Sequence, residues 1–110
     1  MITLKYHSDS SHGWYGIKTG YLFQHFIINK IEISAYSYIS KSKQTVYLEE
    51  DIDGPAVIKY LKANNIPFII KDCKTSNKPS FIRYLKRFSD IITVNKTSTN
   101  MIYWSIKRTE

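Results

Sequence analysis

Apolar side chains recur along this chain at every second position in some short stretches and at every third or fourth in others, and the two rhythms take turns. A period of two lines one face of a strand and a period of about 3.6 lines one face of a helix, so the alternation restricts the chain to an α+β fold. Residues 2–7 (ITLKYH) alternate apolar and polar side chains and predict a strand with one buried face. Ser8, Asp9, Ser10 and Ser11 follow, turn formers whose side chains bond nearby backbone. Residues 12–17 (HGWYGI) then read as the second strand of a hairpin, which sets His7 and His12 at opposite sides of one turn.

The remaining segments extend the pattern. Thr19 is placed to cap a helix through Tyr21, Leu22, Phe23, Phe26 and Ile27, with His25 off its apolar face. Residues 33–39 and 45–48 are rich in β-formers and are joined by the polar loop 40–44. Asp53 ahead of Gly54 and Pro55 predicts a capped helix through Val57, Ile58 and Leu61, ended by Asn64 and Asn65. Residues 66–71 form a short apolar run suited to a buried strand. After a loop at 76–79, Phe81, Ile82, Leu85 and Phe88 show helical spacing with Arg83, Lys86 and Arg87 opposite, an amphipathic basic helix that begins near Lys78 and Ser80. Closing strands are expected at 91–94 and 101–106 around a turn at 95–100. The expectation is one α+β domain over residues 1–110, with a mostly antiparallel sheet and two to three helices.

Composition narrows the setting. With 43% hydrophobic residues in 110, one core can form and disorder is disfavoured. Cys73 is the lone cysteine, which excludes an internal disulfide and points to a reducing cytoplasm. The N-terminal residues lack the pattern of a signal peptide, and no apolar run approaches the roughly 20 residues that span a bilayer, so no membrane partner is expected. The net charge of +7 is uneven: residues 1–55 hold five basic and six acidic side chains, and 56–110 hold eleven and three. Such a field concentrates anionic partners, among them nucleotides and nucleic acids.

Two chemistries fit the hairpin. In one, His7 and His12 act as a catalytic pair, one neutral imidazole taking a proton while the other, protonated, gives one to a leaving oxygen, as phosphodiester cleavage requires. In the other, His7, Asp9 and His12 supply ligands to a divalent metal such as zinc or manganese, with Glu49 or Asp51 completing the shell. The same residues also fit an ordinary hairpin end in which Asp9 makes the turn.

Glu49, Glu50, Asp51 and Asp53 put four of the nine acids within five positions, and their mutual repulsion must be offset by a cation, a metal, a helix N-terminus or a basic partner protein. Asp53 is expected to cap the following helix and Asp51 to lie near its positive end. The ligand-binding set is Trp14, Ser34, Tyr36, Ser37, Tyr38 and Arg83, in which Arg83 meets phosphate and the aromatic rings stack on a base. No helix-turn-helix or RNA-binding signature supports sequence-specific nucleic-acid binding.

Taken together, the stretches His7-Ser8-Asp9, His12-Gly13-Trp14, Ile33-Ser34-Ala35-Tyr36-Ser37-Tyr38, Tyr47-Leu48-Glu49-Glu50-Asp51-Ile52-Asp53 and Ser80-Phe81-Ile82-Arg83-Tyr84 resemble a group of small, poorly characterised bacteriophage proteins. The resemblance runs from residue 6 to about 88. It implies a phage origin and an accessory role in the host cytoplasm, where proteins of this kind disarm a defence by sequestering or degrading a nucleotide signal, by binding nucleic acid, or by capping a defence enzyme. The leading expectation is therefore recognition, with possible hydrolysis, of a phosphate-bearing nucleotide. The alternatives are inhibition of a host defence protein through the acidic cluster and nonspecific nucleic-acid binding through the basic helix, and homo-oligomers are compatible with all three.

Overall fold

The alternation of residues 2–7 and the turn chemistry after them produce the hairpin at the centre of the sheet. In a computed structural model that describes residues 1–73, 80–96 and 102–106, the last five and residues 95–96 by backbone alone, β1 (Ile2–Ser8) and β2 (Gly13–Lys18) pair antiparallel, with Lys5 opposite Gly16 and His7 opposite Trp14. Asp9 closes the hairpin: its Oδ1 accepts from the backbone of Ser11 and His12, and its own N–H donates to the His12 carbonyl. The loop expected at 76–79, with Lys78, and most of the turn expected at 95–100 lie outside the described residues.

The sheet grows on both sides of this hairpin. β4 (Thr45–Glu49) adds antiparallel to β2, β3 (Tyr38–Ile39) to β4, and β6 (Lys86–Arg87) to β3, while β5 (Phe68–Asp72) adds parallel to β1. The order is β5-β1-β2-β4-β3-β6. β7 (Ile92–Lys96) and β8 (Ile102–Ile106) form a separate antiparallel pair. The expected mostly antiparallel α+β architecture is observed, with the β1–β5 pairing as its parallel component.

The register separates two faces. Leu4, Ile17, Ile39, Val46 and Leu48 point to one side and pack with Leu22 of α1 (Thr19–Gln24), Ile27 and Ile28 of α2 (Ile27–Lys30), Val57 and Leu61 of α3 (Asp53–Ala63), and Phe88 and Ile91 of α4 (Phe88–Ile91). Lys5, His7, Trp14, Gly16, Lys18, Tyr47 and Glu49 point to the other. Trp14 and Ile82 are buried outside the main cluster, so the second face carries a small core of its own.

Several elements depart from expectation. The helix expected from Thr19 to Ile27 is broken, because Phe26 takes a left-handed conformation (φ 58°) between α1 and α2. Thr19 does not cap it; its hydroxyl donates to the Lys43 carbonyl. Only Tyr38 and Ile39 of the strand expected at 33–39 are extended into the sheet, because Ser34 and Ser37 are drawn to Asp53. Asp53 consequently does not cap α3. The turn that leads into that helix is braced by Glu49, whose two carboxylate oxygens accept from the backbone of Asp51 and Ile52, and the helix itself has no side-chain cap. The C-terminus follows expectation: Asn65 is left-handed, and Ile66 N–H and Asn65 N–H return to the carbonyls of Leu61 and Lys62. Finally, the basic helix expected over 81–88 is a single 3-10 turn, Phe81–Tyr84, followed by β6 and α4. Among the described residues no helix is long and apolar enough to cross a membrane.

Candidate functional site

The side chains singled out by the sequence fall into three groups. Trp14 is the centre of the first. It is 1% exposed, with the His12 ring 5.1 Å away, the Tyr38 ring 6.3 Å away and the Arg83 guanidinium 5.3 Å above its face. Its indole N–H is buried with no hydrogen-bond partner among the described residues.

Arg83 is held there by Asp9, Nε to Oδ2 at 2.6 Å and a terminal nitrogen to Oδ1 at 2.9 Å, while the same terminal nitrogen donates to Ser11 Oγ. Ser80 N–H also donates to Asp9 Oδ2, so the 3-10 turn is fastened to the hairpin tip. The Arg83 guanidinium, and then the Ser80 amide, hold the Asp9 carboxyl far below the usual carboxylate range, and the same contact raises Arg83. Asp9 and Arg83 thus satisfy each other, and the hydrogen bonds of Asp9 leave it no role as a metal ligand.

The acidic cluster forms the second group, and its members have separate duties. Asp53, 1% exposed, accepts from Ser34 N–H, Ser34 Oγ and Ser37 Oγ, and Ser37 Oγ in turn accepts from Glu49 N–H at 2.9 Å. Ser34 and Ser37, expected on a ligand, are therefore spent inside the fold, while Tyr36 is exposed beside them. Glu49 is buried, and besides bracing the turn before α3 its Oε1 meets His12 Nε2 at 2.8 Å. Glu50 receives the Tyr6 hydroxyl on Oε2 at 2.6 Å and turns Oε1 toward His12 Nδ1, 3.9 Å away. The bond to Glu50, and then burial, push the Tyr6 phenol above its ordinary range. Gly13 makes this possible, since a side chain there would collide with the Tyr6 hydroxyl and with Glu50. Asp51 is exposed.

The third group surrounds His7. Its ring lies edge-on to Tyr47 at 5.7 Å and to Phe81 at 5.8 Å. His7 and His12 therefore have different partners. Beside His7, the absent side chain of Gly16 leaves a hollow of about 300 Å³ lined by Thr3, Lys5, His7, Lys18, Tyr21, Thr45 and Tyr47 among others, with no carboxylate among the described residues of its lining. A Cβ on Gly16 would sit 3.3 Å from the Tyr47 ring, so Tyr47 forms the opposite wall. Lys71 flanks Lys5 on the neighbouring strand. Burial, with Lys5 alongside, lowers the His7 pKa, and burial raises that of Tyr47. The hollow thus presents lysine ammoniums, hydroxyl donors and a neutral imidazole.

No family model, curated protein or solved structure matches the chain.

Sequence reasoning found His7 but missed Thr3, Lys5, Gly16, Lys18, Thr45 and Tyr47. The signal was available in part: Lys5 and His7 share a strand face by the period of two, and only the hairpin register was needed to bring Gly16 and Lys18 onto it.

Proposed function

We propose that the chain binds a phosphate-bearing nucleotide in the hollow around Gly16. The observation that carries this reading is the lining itself: Lys5 and Lys18 with the hydroxyls of Thr3 and Thr45, walled by Tyr47 and Tyr21 and free of carboxylate among the described residues. Ammonium and hydroxyl donors suit phosphoryl oxygens, and aromatic walls suit the face of a base. The volume of about 300 Å³ lies at the lower end of ligand pockets, roughly 300–1,000 Å³, and fits a mononucleotide better than a longer chain. In the phage setting implied by the sequence resemblance, the protein would withdraw a nucleotide signal from a host defence.

Isothermal titration against inorganic phosphate and a panel of linear and cyclic nucleotides tests it, with backbone amide shifts as the second readout. The expected result is binding by at least one nucleotide, weakened about tenfold or more by Lys5→Glu and by Lys18→Glu, each of which places a carboxylate against the phosphate. Absence of heat with every nucleotide, or shifts that leave Lys5, Gly16 and Lys18 unmoved, would overturn it.

A further inference from the structure

We infer that His12, Glu50 and Asp51 bind one divalent first-row transition ion, with Glu49 and Tyr6 orienting its ligands. One ligand atom from each of the three residues lies within 4.8 Å of the other two.

The orientation of the donors distinguishes this group from a chance cluster of acids. Glu49 Oε1 lies 2.8 Å from His12 Nε2, and a carboxylate can only accept there. In the neutral ring, the form that binds a metal, this contact places the proton on Nε2 and leaves the lone pair on Nδ1. That lone pair faces Glu50 Oε1 across 3.9 Å, too far for a hydrogen bond and within the span that one ion bridges at about 2.0–2.2 Å from each atom. Metal-binding imidazoles characteristically give their other N–H to a carboxylate, and ligating carboxylates are themselves hydrogen-bonded. Both conditions are met, the first by Glu49 and the second by the Tyr6 hydroxyl on Glu50 Oε2.

Charge supplies an independent reason. Glu49, Glu50 and Asp51 stand together in a chain of net charge +7, yet among the described residues the ion-pair partner of Glu49 and Glu50 is His12, and no lysine or arginine approaches them. The one arginine nearby, Arg83, is committed to Asp9. A dication between Glu50 and Asp51 offsets this local excess. One imidazole nitrogen with carboxylate oxygens suits zinc, manganese or iron over calcium and magnesium, which prefer all-oxygen shells. Three protein ligands leave the remaining positions to water.

The inference does not rest on the nucleotide reading, because the probe is the metal alone. Full-length protein treated with chelator and dialysed is titrated with Zn²⁺ by calorimetry. Binding should saturate at one ion per chain, and Asp51→Asn, a change at an exposed side chain, should weaken it about tenfold or more. Glu49→Gln should weaken it by about 10- to 100-fold through the lost orientation of His12. Lys5→Glu should leave it unchanged. In NMR spectra, Mn²⁺ should broaden the His12 ring signals before those of His7 and His25. Absence of Zn²⁺ binding, unchanged affinity in Asp51→Asn, or broadening that begins at His7 or His25 would each overturn the site.

Discussion

Asp9 and Asp53 are buried carboxylates hydrogen-bonded by different means, one by a guanidinium and the other by serine hydroxyls and an amide. Every partner of Asp53 is a donor, so Asp53→Asn would turn an amide N–H₂ on at least one of them. A loss of about 2 kcal/mol or more in urea denaturation is expected, since a buried donor left unsatisfied costs about 1–3 kcal/mol. Asp9 and His7 make pH the second probe at this scale. The Asp9 carboxyl is depressed in the fold, so its contribution is present above its unfolded value near 4 and is lost as pH falls toward and through the folded value. His7 is also depressed, and for a base this favours the neutral form: stability is greatest above about pH 6.5 and declines below it as the unfolded chain takes up the proton. Thermal melts as a function of pH should show both limbs, and His7→Gln should remove the one near neutrality while retaining the acid one.

At the scale of elements, local chemistry was readable wherever the partner lay close in sequence. The Asp9 turn, the alternation of β1 and β2, and the Asn64-Asn65 stop all depend on residues a few positions apart, and all appear where the sequence put them. At Thr19, Asp53 and residues 81–88 a distant partner took over, and the apolar run expected as a buried strand is instead the largely exposed edge strand β5. Asp53 had the right neighbours for a cap, but Ser34 and Ser37, brought in by the loop before β3, claimed its oxygens, and α3 starts with no side-chain cap while Glu49 braces the turn ahead of it. Residues 81–88 had helical spacing, but pairing of Lys86 and Arg87 with β3 outweighed it. The site shows the same limit. His7, His12, the acidic cluster and Arg83 could be named from the sequence, whereas the pairing of Arg83 with Asp9 and most of the lining of the hollow at Gly16 required the topology. Phe26 offers a test at this scale. It is exposed and left-handed, a conformation that costs a side-chain-bearing residue about 1–2 kcal/mol, so Phe26→Gly should stabilise the protein, by about 1 kcal/mol after the extra freedom of glycine in the unfolded chain is counted. Its midpoint in urea should rise with an unchanged slope.

In the molecule as a whole, one sheet serves two purposes. Among the described residues, one face holds four helices and the main core, and the other holds the short segment from Ser80 to Tyr84 over Trp14, with the hollow at Gly16 beside it. That segment is secured chiefly by the Asp9–Arg83 pair, which joins positions 74 residues apart. The pair has a consequence in time. Contacts so distant in sequence close late, after the local β1–β2 hairpin, because the loop between them must first be drawn in. Removing Arg83 should therefore leave the refolding limb of a chevron plot nearly where it was and raise the unfolding limb. Arg83→Met, which keeps an apolar cover on Trp14, is the variant to use; its total cost should fall below the roughly 3–5 kcal/mol of a fully buried pair because Arg83 is 36% exposed. The cover over Trp14 would then be the last part of this protein to assemble and the first to let go.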